Sequence, residues 1–230
     1  MNVFQIKLKV FLLEDINLEN LQSKLTAFID KSLAKDSDLL KFHQSNKFKY
    51  YCFDSLYPIE KDKVYKKNNI YTLTIRTIDK VLANFFNSIL VNEFNNYMKA
   101  LTSEIRIIPK KHINKIYSIT PAILKNDDGY WKYKMSLDEF ERRLKENLIK
   151  KYNSITDTKI DEEFDLYTTI EIKNKKPIST AYKKIKLLGD KISLNIAENE
   201  IAQDLAYMSI GTGILENNAR GFGFMNYRWL

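Results

Sequence analysis

Two residue periodicities alternate along this chain in an order that repeats, and that order limits the folds open to it. Residues 2–13 put Phe4, Ile6, Leu8, Val10 and Leu12 on one side of an extended strand, with Lys7 and Lys9 between them. The apolar spacing then changes to three and four. Leu18, Leu21, Leu25, Phe28 and Ile29 line one face of a helix predicted over 18–33, capped by Asn17. Strands are predicted at 47–54 and 63–76, and a strand at 96–108 closes the set. Between them a second helix spans 78–90 on the stripe Ile78, Val81, Leu82, Phe85, Phe86 and Ile89. The order is βαββαβ, the ferredoxin-like arrangement.

Pro109-Lys110-Lys111-His112 reads as a linker, after which the pattern begins again. A strand is predicted at 113–124, then a polar turn at Asp127-Asp128-Gly129 closing a small hairpin that carries Tyr130, Trp131 and Tyr133. Ser136 and Glu139 form a capping box that opens a helix burying Leu137, Phe140, Leu144 and Leu148. Strands follow at 164–173 and 181–197, the latter bent at Gly189-Asp190, then a helix at 198–208 and a last strand at 222–229. The expectation is an α+β protein of two tandem ferredoxin-like domains, 1–109 and 110–230.

The 44% apolar content over 230 residues is enough for packed cores and argues against disorder. Thirty-seven Lys and Arg against 29 Asp and Glu leave a net charge of +8, which suits a polyanionic partner. The single cysteine, Cys52, excludes an internal disulfide and fits a reducing compartment. No apolar run approaches the roughly 20 residues that cross a bilayer, and the alternating start is no secretory leader. A cytoplasmic protein without a membrane partner is expected.

The tail carries the strongest functional signal. Four of the six glycines fall at Gly211, Gly213, Gly221 and Gly223, with Asn217 and Arg220 between the pairs. This is not a Walker A loop, because no Gly-Lys-Ser/Thr follows. It is not a dinucleotide fingerprint either, since Glu216 replaces the third glycine and the loop follows a helix. Glycine allows positive φ and close approach to the main chain, and exposed amides in such turns form nests for anions. With the net charge, the anion expected is the phosphate backbone of RNA. Arg142, Arg143, Lys145, Lys150 and Lys151 on the helix from Ser136 add candidate phosphate contacts, led by Arg142 and Arg143. Tyr130, Trp131 and Tyr133 offer ring faces for base stacking.

RNA brings its own nucleophile, the 2′-hydroxyl, so a ribonuclease needs only proton transfer and charge stabilisation. Histidine is the usual carrier of protons at neutral pH. The chain has two, and His43 sits among Lys41, Lys47 and Lys49 before a strand. His112, beside the linker lysines, reads as a solvated residue. No carboxylate cluster or Cys/His array of ligand spacing is visible, so neither a metal nor a cofactor is expected.

The loop Gly211-x-Gly213-x7-Gly221-Phe222-Gly223-Phe224 after two ferredoxin-like units resembles the CRISPR-associated endoribonucleases that process precursor CRISPR RNA, the sixth Cas protein. The stretch Phe42-His43-Gln44-Ser45-Asn46-Lys47-Phe48-Lys49-Tyr50-Tyr51 is similar to the family segment in which a histidine precedes a Lys-Phe-x-x-aromatic strand. The resemblance implies a metal-independent endoribonuclease releasing guide RNAs with a 2′,3′-cyclic phosphate and a 5′-hydroxyl. It implies His43 as the catalytic histidine, with Lys47 or Lys49 at the scissile phosphate. Partners implied are CRISPR repeat RNA, other Cas subunits of an effector complex and a second copy in a homodimer. The alternative is a non-catalytic RNA-binding subunit of such a complex. The chain departs from members with a catalytic tyrosine on the first helix, where it has Phe28, and Tyr50 and Tyr51 are the substitutes at hand.

Overall fold

The computed structural model describes residues 1–126, 129–182 and 185–230. The first half contains β1 (Val3–Leu12), β2 (Ile16–Asn17), α1 (Leu18–Leu33), α2 (Ser37–Gln44), β3 (Tyr51–Phe53), β4 (Val64–Tyr65), β5 (Ile70–Thr77), α3 (Lys80–Ser88) and β6 (Met98–Ile108). The second contains β7 (Ile113–Ser118), α4 (Leu137–Thr156), β8 (Tyr167–Ile172), β9 (Ile178–Tyr182), β10 (Ile185–Gly189), β11 (Ile192–Ile196), α5 (Glu200–Thr212) and β12 (Met225–Trp229). The main sheets run β3-β5-β1-β6 and β12-β7-β11-β8. Every pairing within them is antiparallel. In each, the first and third major strands lie centrally and the second and fourth at the edges, so both sheets are ferredoxin-like.

Each sheet has its own core. On β1, Ile6, Leu8, Val10 and Leu12 are fully buried against Leu25 and Phe28 of α1 and Phe86 of α3. Burying such a side chain contributes about 1.5–3 kcal/mol, so this one strand face is a large part of the driving force. The second core gathers Phe140, Leu144 and Leu148 of α4 with Leu205 and Met208 of α5. Val3 and Ile108, from the ends of β1 and β6, belong to that second core and stitch the halves together.

The halves also share polar contacts. The Arg76 guanidinium on β5 donates to Gln5 Oε1 at 3.0 Å and to the Met225 carbonyl of β12 at 2.5 Å. It lies 4.5 Å from the ring centre of Phe224, which covers a buried cation with a π face. The Tyr207 hydroxyl of α5 donates to the Ile108 carbonyl at 2.6 Å and accepts from the Val3 amide at 3.2 Å. The β9–β10 hairpin adds a third tie, with β9 resting on α1.

Several predicted elements differ. The strand expected at 63–76 is two strands, because Asn68 turns the chain at positive φ between them. The strand expected at 181–197 divides at Gly189-Asp190, with β10 in the hairpin and β11 inside the sheet. The pair Asp127-Asp128 lies outside the described residues, but the aromatic segment after it is no strand. Trp131–Tyr133 is a single 3₁₀ turn, and Tyr130 and Trp131 are buried. The reason is Asp190, 1% exposed, whose carboxylate accepts from the Tyr130 hydroxyl at 2.7 Å, Trp131 Nε1 at 2.7 Å, Lys132 Nζ at 3.1 Å and Asn174 Nδ2 at 2.6 Å. A buried carboxylate needs that many donors, so these rings serve the core; Tyr133 alone is well exposed.

Candidate functional site

The segment carrying His43 is a helix that sequence periodicity did not reveal. Asp36 caps α2, its Oδ1 accepting from the Asp38 and Leu39 amides at 2.9 and 3.0 Å. His43 stands in the last turn. The chain then curls back over the helix end instead of starting a strand. Lys49 Nζ donates to the Phe42 carbonyl at 2.7 Å and the Ser45 carbonyl at 2.5 Å, which places a cation on the negative end of the helix. The Phe42 and Tyr50 rings lie 5.7 Å apart, and Tyr50 takes φ +56° before β3 begins. Lys47 and Lys49 therefore precede the strand expected at 47–54, which begins at Tyr51. Lys49 locks the end of α2, and partial burial lowers its pKa, while Lys47 remains exposed.

The His43 side chain is 30% exposed, and its Nε2 lies 3.7 Å from Asp30 Oδ1 of α1. Nδ1 is buried and has no hydrogen-bond partner among the described residues. The imidazole thus meets a carboxylate on one side, able to steady the ring when it is protonated. Phe28 has no hydroxyl, and Tyr51 lines the cleft with its hydroxyl buried and without a hydrogen-bond partner among the described residues. The Tyr50 hydroxyl instead meets Ser154 Oγ of α4 at 3.3 Å, across the boundary between the halves.

Facing α2 from the second half is the glycine loop, with backbone chemistry different from the one its sequence suggested. Gly211 lies inside α5, where an added Cβ would stand 2.8 Å from Ile78 and 3.2 Å from Val3; it lets the helix close on β1. Gly213 ends α5, its amide bound to the Ser209 carbonyl at 2.8 Å. Gly221 and Gly223 take φ +82° and +64°. The Gly221 amide binds the Asn218 carbonyl at 2.9 Å, and the Gly223 amide binds the Pro121 carbonyl at 2.8 Å. The Gly221 carbonyl accepts from Gln22 Nε2 of α1 at 2.6 Å. The glycine amides are therefore committed within the protein, and the glycines permit close packing. Among the described residues, the amides of Asn218 and Ala219 meet no acceptor, and both residues line the cleft.

The two sides enclose a cleft of about 750 Å³. It brings together His43, Lys47 and Lys49 from the first half with Asn217, Arg220 and Lys151 from the second. Arg220 donates to Asn217 Oδ1 at 3.1 Å and lies 4.7 Å from the ring centre of Tyr182, so its planar cation is held at the rim. Arg142 and Arg143 do not line this cleft. Arg142 is paired along its own helix with Glu139 at 2.7 Å and with Glu146, and Arg143 donates to the Lys125 carbonyl at 2.8 Å. Exposed pairs of this kind are worth little to stability, but they occupy the charge expected to meet RNA. His112 is exposed and lies outside the cleft, its carbonyl accepting from the Leu230 amide at 3.1 Å.

Asp30 and Tyr182 are cleft residues that sequence reasoning passed over, and Lys151, expected there as a phosphate contact, is instead buried beneath the loop. Lys151 did carry a signal: it continues the stripe Phe140, Leu144, Leu148 at the next buried position, where a charge demands partners. Asp30 and Tyr182 show none, because only the fold brings α1 and the hairpin to the site. Among the described residues no group of three or more His, Cys, Asp or Glu side chains could hold a metal ion, and no helix is long and apolar enough to cross a membrane.

Residues 108–227 match a family model described as CRISPR associated protein Cas6, C-terminal. The chain is similar to CRISPR-associated endoribonuclease Cas6 2 of Methanocaldococcus jannaschii, 24% identical over 248 residues, spanning 96% of this chain and 98% of the relative. Among solved structures it resembles a CRISPR associated protein Cas6, with TM-score 0.71 and 21% identity over 98% of this chain and 99% of the other. It also resembles an RAMP protein binding different RNA substrates, with TM-score 0.74 and 17% identity over 98% and 99% of the two chains. A Cas6-related protein from Pyrococcus furiosus aligns at TM-score 0.71 and 18% identity over 98% of both. At these identities the solved structures speak to the fold alone.

Proposed function

The chain belongs to the Cas6 family of CRISPR-associated proteins, and on that premise we propose that it is an endoribonuclease cutting CRISPR repeat RNA by attack of the RNA's own 2′-hydroxyl. The observation that carries the reading is the convergence of His43 and Lys47 with Arg220 and the Asn218–Ala219 amide edge on one cleft. This reading is supported by an imidazole able to take and give a proton beside donors for a phosphate whose charge grows in the transition state.

In the step proposed, the 2′-oxygen forms a bond to phosphorus as the bond to the 5′-oxygen breaks. One proton leaves the 2′-hydroxyl and one arrives on the 5′-oxygen, giving a 2′,3′-cyclic phosphate and a 5′-hydroxyl. His43 is the proton-exchanging group, steadied by Asp30 when charged. Lys47 neutralises the phosphorane-like charge, and Lys49 acts through His43 by fixing the end of α2. Arg220, Asn217 and the adjoining amides grip a backbone phosphate, which orients the reacting ribose. Effector subunits and a second copy remain partners within this proposal.

Because this chemistry routes through side chains and the ribose, cleavage is expected to persist in excess EDTA with the same product ends. The check is a gel assay with the repeat RNA, in chelator and in magnesium, with end analysis of the products. Activity that vanishes in chelator and returns with magnesium or manganese would overturn the mechanism. Tight binding without cleavage under either condition would favour the RNA-clamp alternative.

A further inference from the structure

Lys151 is a lysine in an unusual position. Its side chain is 2% exposed at the floor of the cleft, on the inward face of α4. Its Nζ donates to the Gly213 carbonyl at 3.0 Å, the Leu215 carbonyl at 2.8 Å and Asn218 Oδ1 at 2.7 Å. All three acceptors belong to the loop. Asn218, held there by its oxygen, uses its Nδ2 to donate to the Ile214 carbonyl at 2.8 Å and the Phe222 carbonyl at 3.0 Å. Lysine and asparagine together satisfy carbonyls that the loop's positive-φ turns leave pointing inward.

We propose that Lys151 is the positioning residue that holds the glycine loop in its phosphate-receiving shape, and that it does so only as an ammonium. An ammonium has three N–H donors and the loop presents three acceptors, whereas a neutral amine has two donors and would leave one acceptor unpaired. The inference deepens the RNA-cleavage reading, and its first test does not depend on that reading.

Burial pushes the Lys151 pKa down to about 7, opposed by the nearby charge of Glu216 from the loop and by Cys52 from β3. Burial raises the Cys52 thiol to about 12, so it stays neutral and leaves Glu216 as the local counter-charge. The sign follows. Between pH 7 and the ordinary lysine range the unfolded chain holds a proton that the folded chain sheds, so this group's contribution to stability rises with pH. The grip on the loop does the opposite, weakening as pH rises through about 7. An incoming phosphate adds negative charge beside the cleft and favours the ammonium, so RNA binding above pH 7 takes up a proton.

The first test is amide hydrogen exchange on the free protein. In Lys151→Met, exchange at Gly221 and Phe222 is expected to quicken by about tenfold or more, the scale of losing hydrogen bonds to a charged group. The melting temperature should fall, because three buried acceptors lose their donor, so the quickening is read relative to the amides of β1. The second test is affinity for the repeat RNA from pH 6 to 9. Wild-type affinity should fall above pH 7, Lys151→Arg should be flatter, and Lys151→Met should bind at least about tenfold more weakly at pH 6. Unchanged exchange in Lys151→Met would overturn the positioning role. If Lys151→Arg misfolds, proton uptake by the wild type on binding RNA, measured by calorimetry in two buffers, decides the charge requirement: no uptake at pH 8 overturns it. A wild type that binds no RNA contradicts the proposed function, while the exchange result still decides the role of Lys151.

Discussion

His43→Ala is expected to slow single-turnover cleavage of the repeat RNA by about 10²–10⁴-fold, the range over which positioned acid–base groups act. Binding of the same RNA should change little, because the grip on phosphate is assigned to Arg220, Asn217 and the loop amides on the opposite wall. The fold should not suffer either. His43 sits in the last turn of a short helix, 30% exposed, and packs into neither core. Equal melting temperatures for the two proteins would certify that the rate, and not the fold, has been changed. A variant that cleaves at the wild-type rate would remove His43 from the mechanism.

The second large effect concerns stability. The sequence alone suggests that alanine in the glycine loop harms RNA binding and spares the fold; the geometry reverses that expectation. A Cβ on Gly223 would stand 2.2 Å from the Ile214 carbonyl oxygen, a backbone atom, at φ +64°. Strain at positive φ and overpacking against main chain together cost roughly 2–4 kcal/mol. For a chain of this size that is a fall of about 5–12 °C in melting temperature. Gly221→Ala adds a different injury, since its Cβ would meet Gln22 Nε2 at 1.8 Å and the buried Phe53 ring at 2.6 Å. Gln22 can turn away only by giving up its bond to the Gly221 carbonyl, which joins the loop to α1. Thermal melting of Gly223→Ala checks this. An unchanged melting temperature with RNA binding abolished would restore the simple picture of glycine amides as the phosphate nest.

Much of the architecture was legible because strand and helix periods are strong where one face is buried. The predicted bounds of α1, 18–33, are those observed, set by the buried stripe, although the Asn17 side chain makes no capping hydrogen bond. The failures share one physical cause: partners supplied by tertiary structure. The segment Ser37–Gln44 is too short for a helical stripe to stand out, and its clearest sign, the Asp36 cap, is a single residue. Lys47-Phe48-Lys49-Tyr50 alternates like a strand, yet Lys49 folds back on the carbonyls of α2 and Tyr50 turns at positive φ. Arg142 and Arg143 were read from a count of basic residues, which does not show that the fold puts them outside the cleft, with Arg142 paired to glutamates one turn away. Glycine spacing marked special backbone correctly but could not say whether a ligand or Gln22, Phe53 and Ile214 come close to it.

The site was legible in part for the same reason. A histidine in a basic stretch and a glycine-rich tail were visible, and the fold lays His43 and the residues between the glycine pairs, though none of the four glycines, on one cleft. Asp30 beside His43 and Lys151 beneath the loop are products of tertiary packing within each half, α1 against α2 in the first and α4 against the glycine loop in the second, so no local pattern could pair them with their partners.

The central claim is that the ribose supplies the nucleophile, and a single substitution in the RNA tests it most directly. A repeat RNA carrying 2′-deoxyribose only at the nucleotide 5′ of the cut should bind like the all-ribose RNA and remain intact at that phosphate, in magnesium as in EDTA. Cleavage of the deoxy-substituted RNA at that position, at a rate near that of the all-ribose substrate, would contradict it.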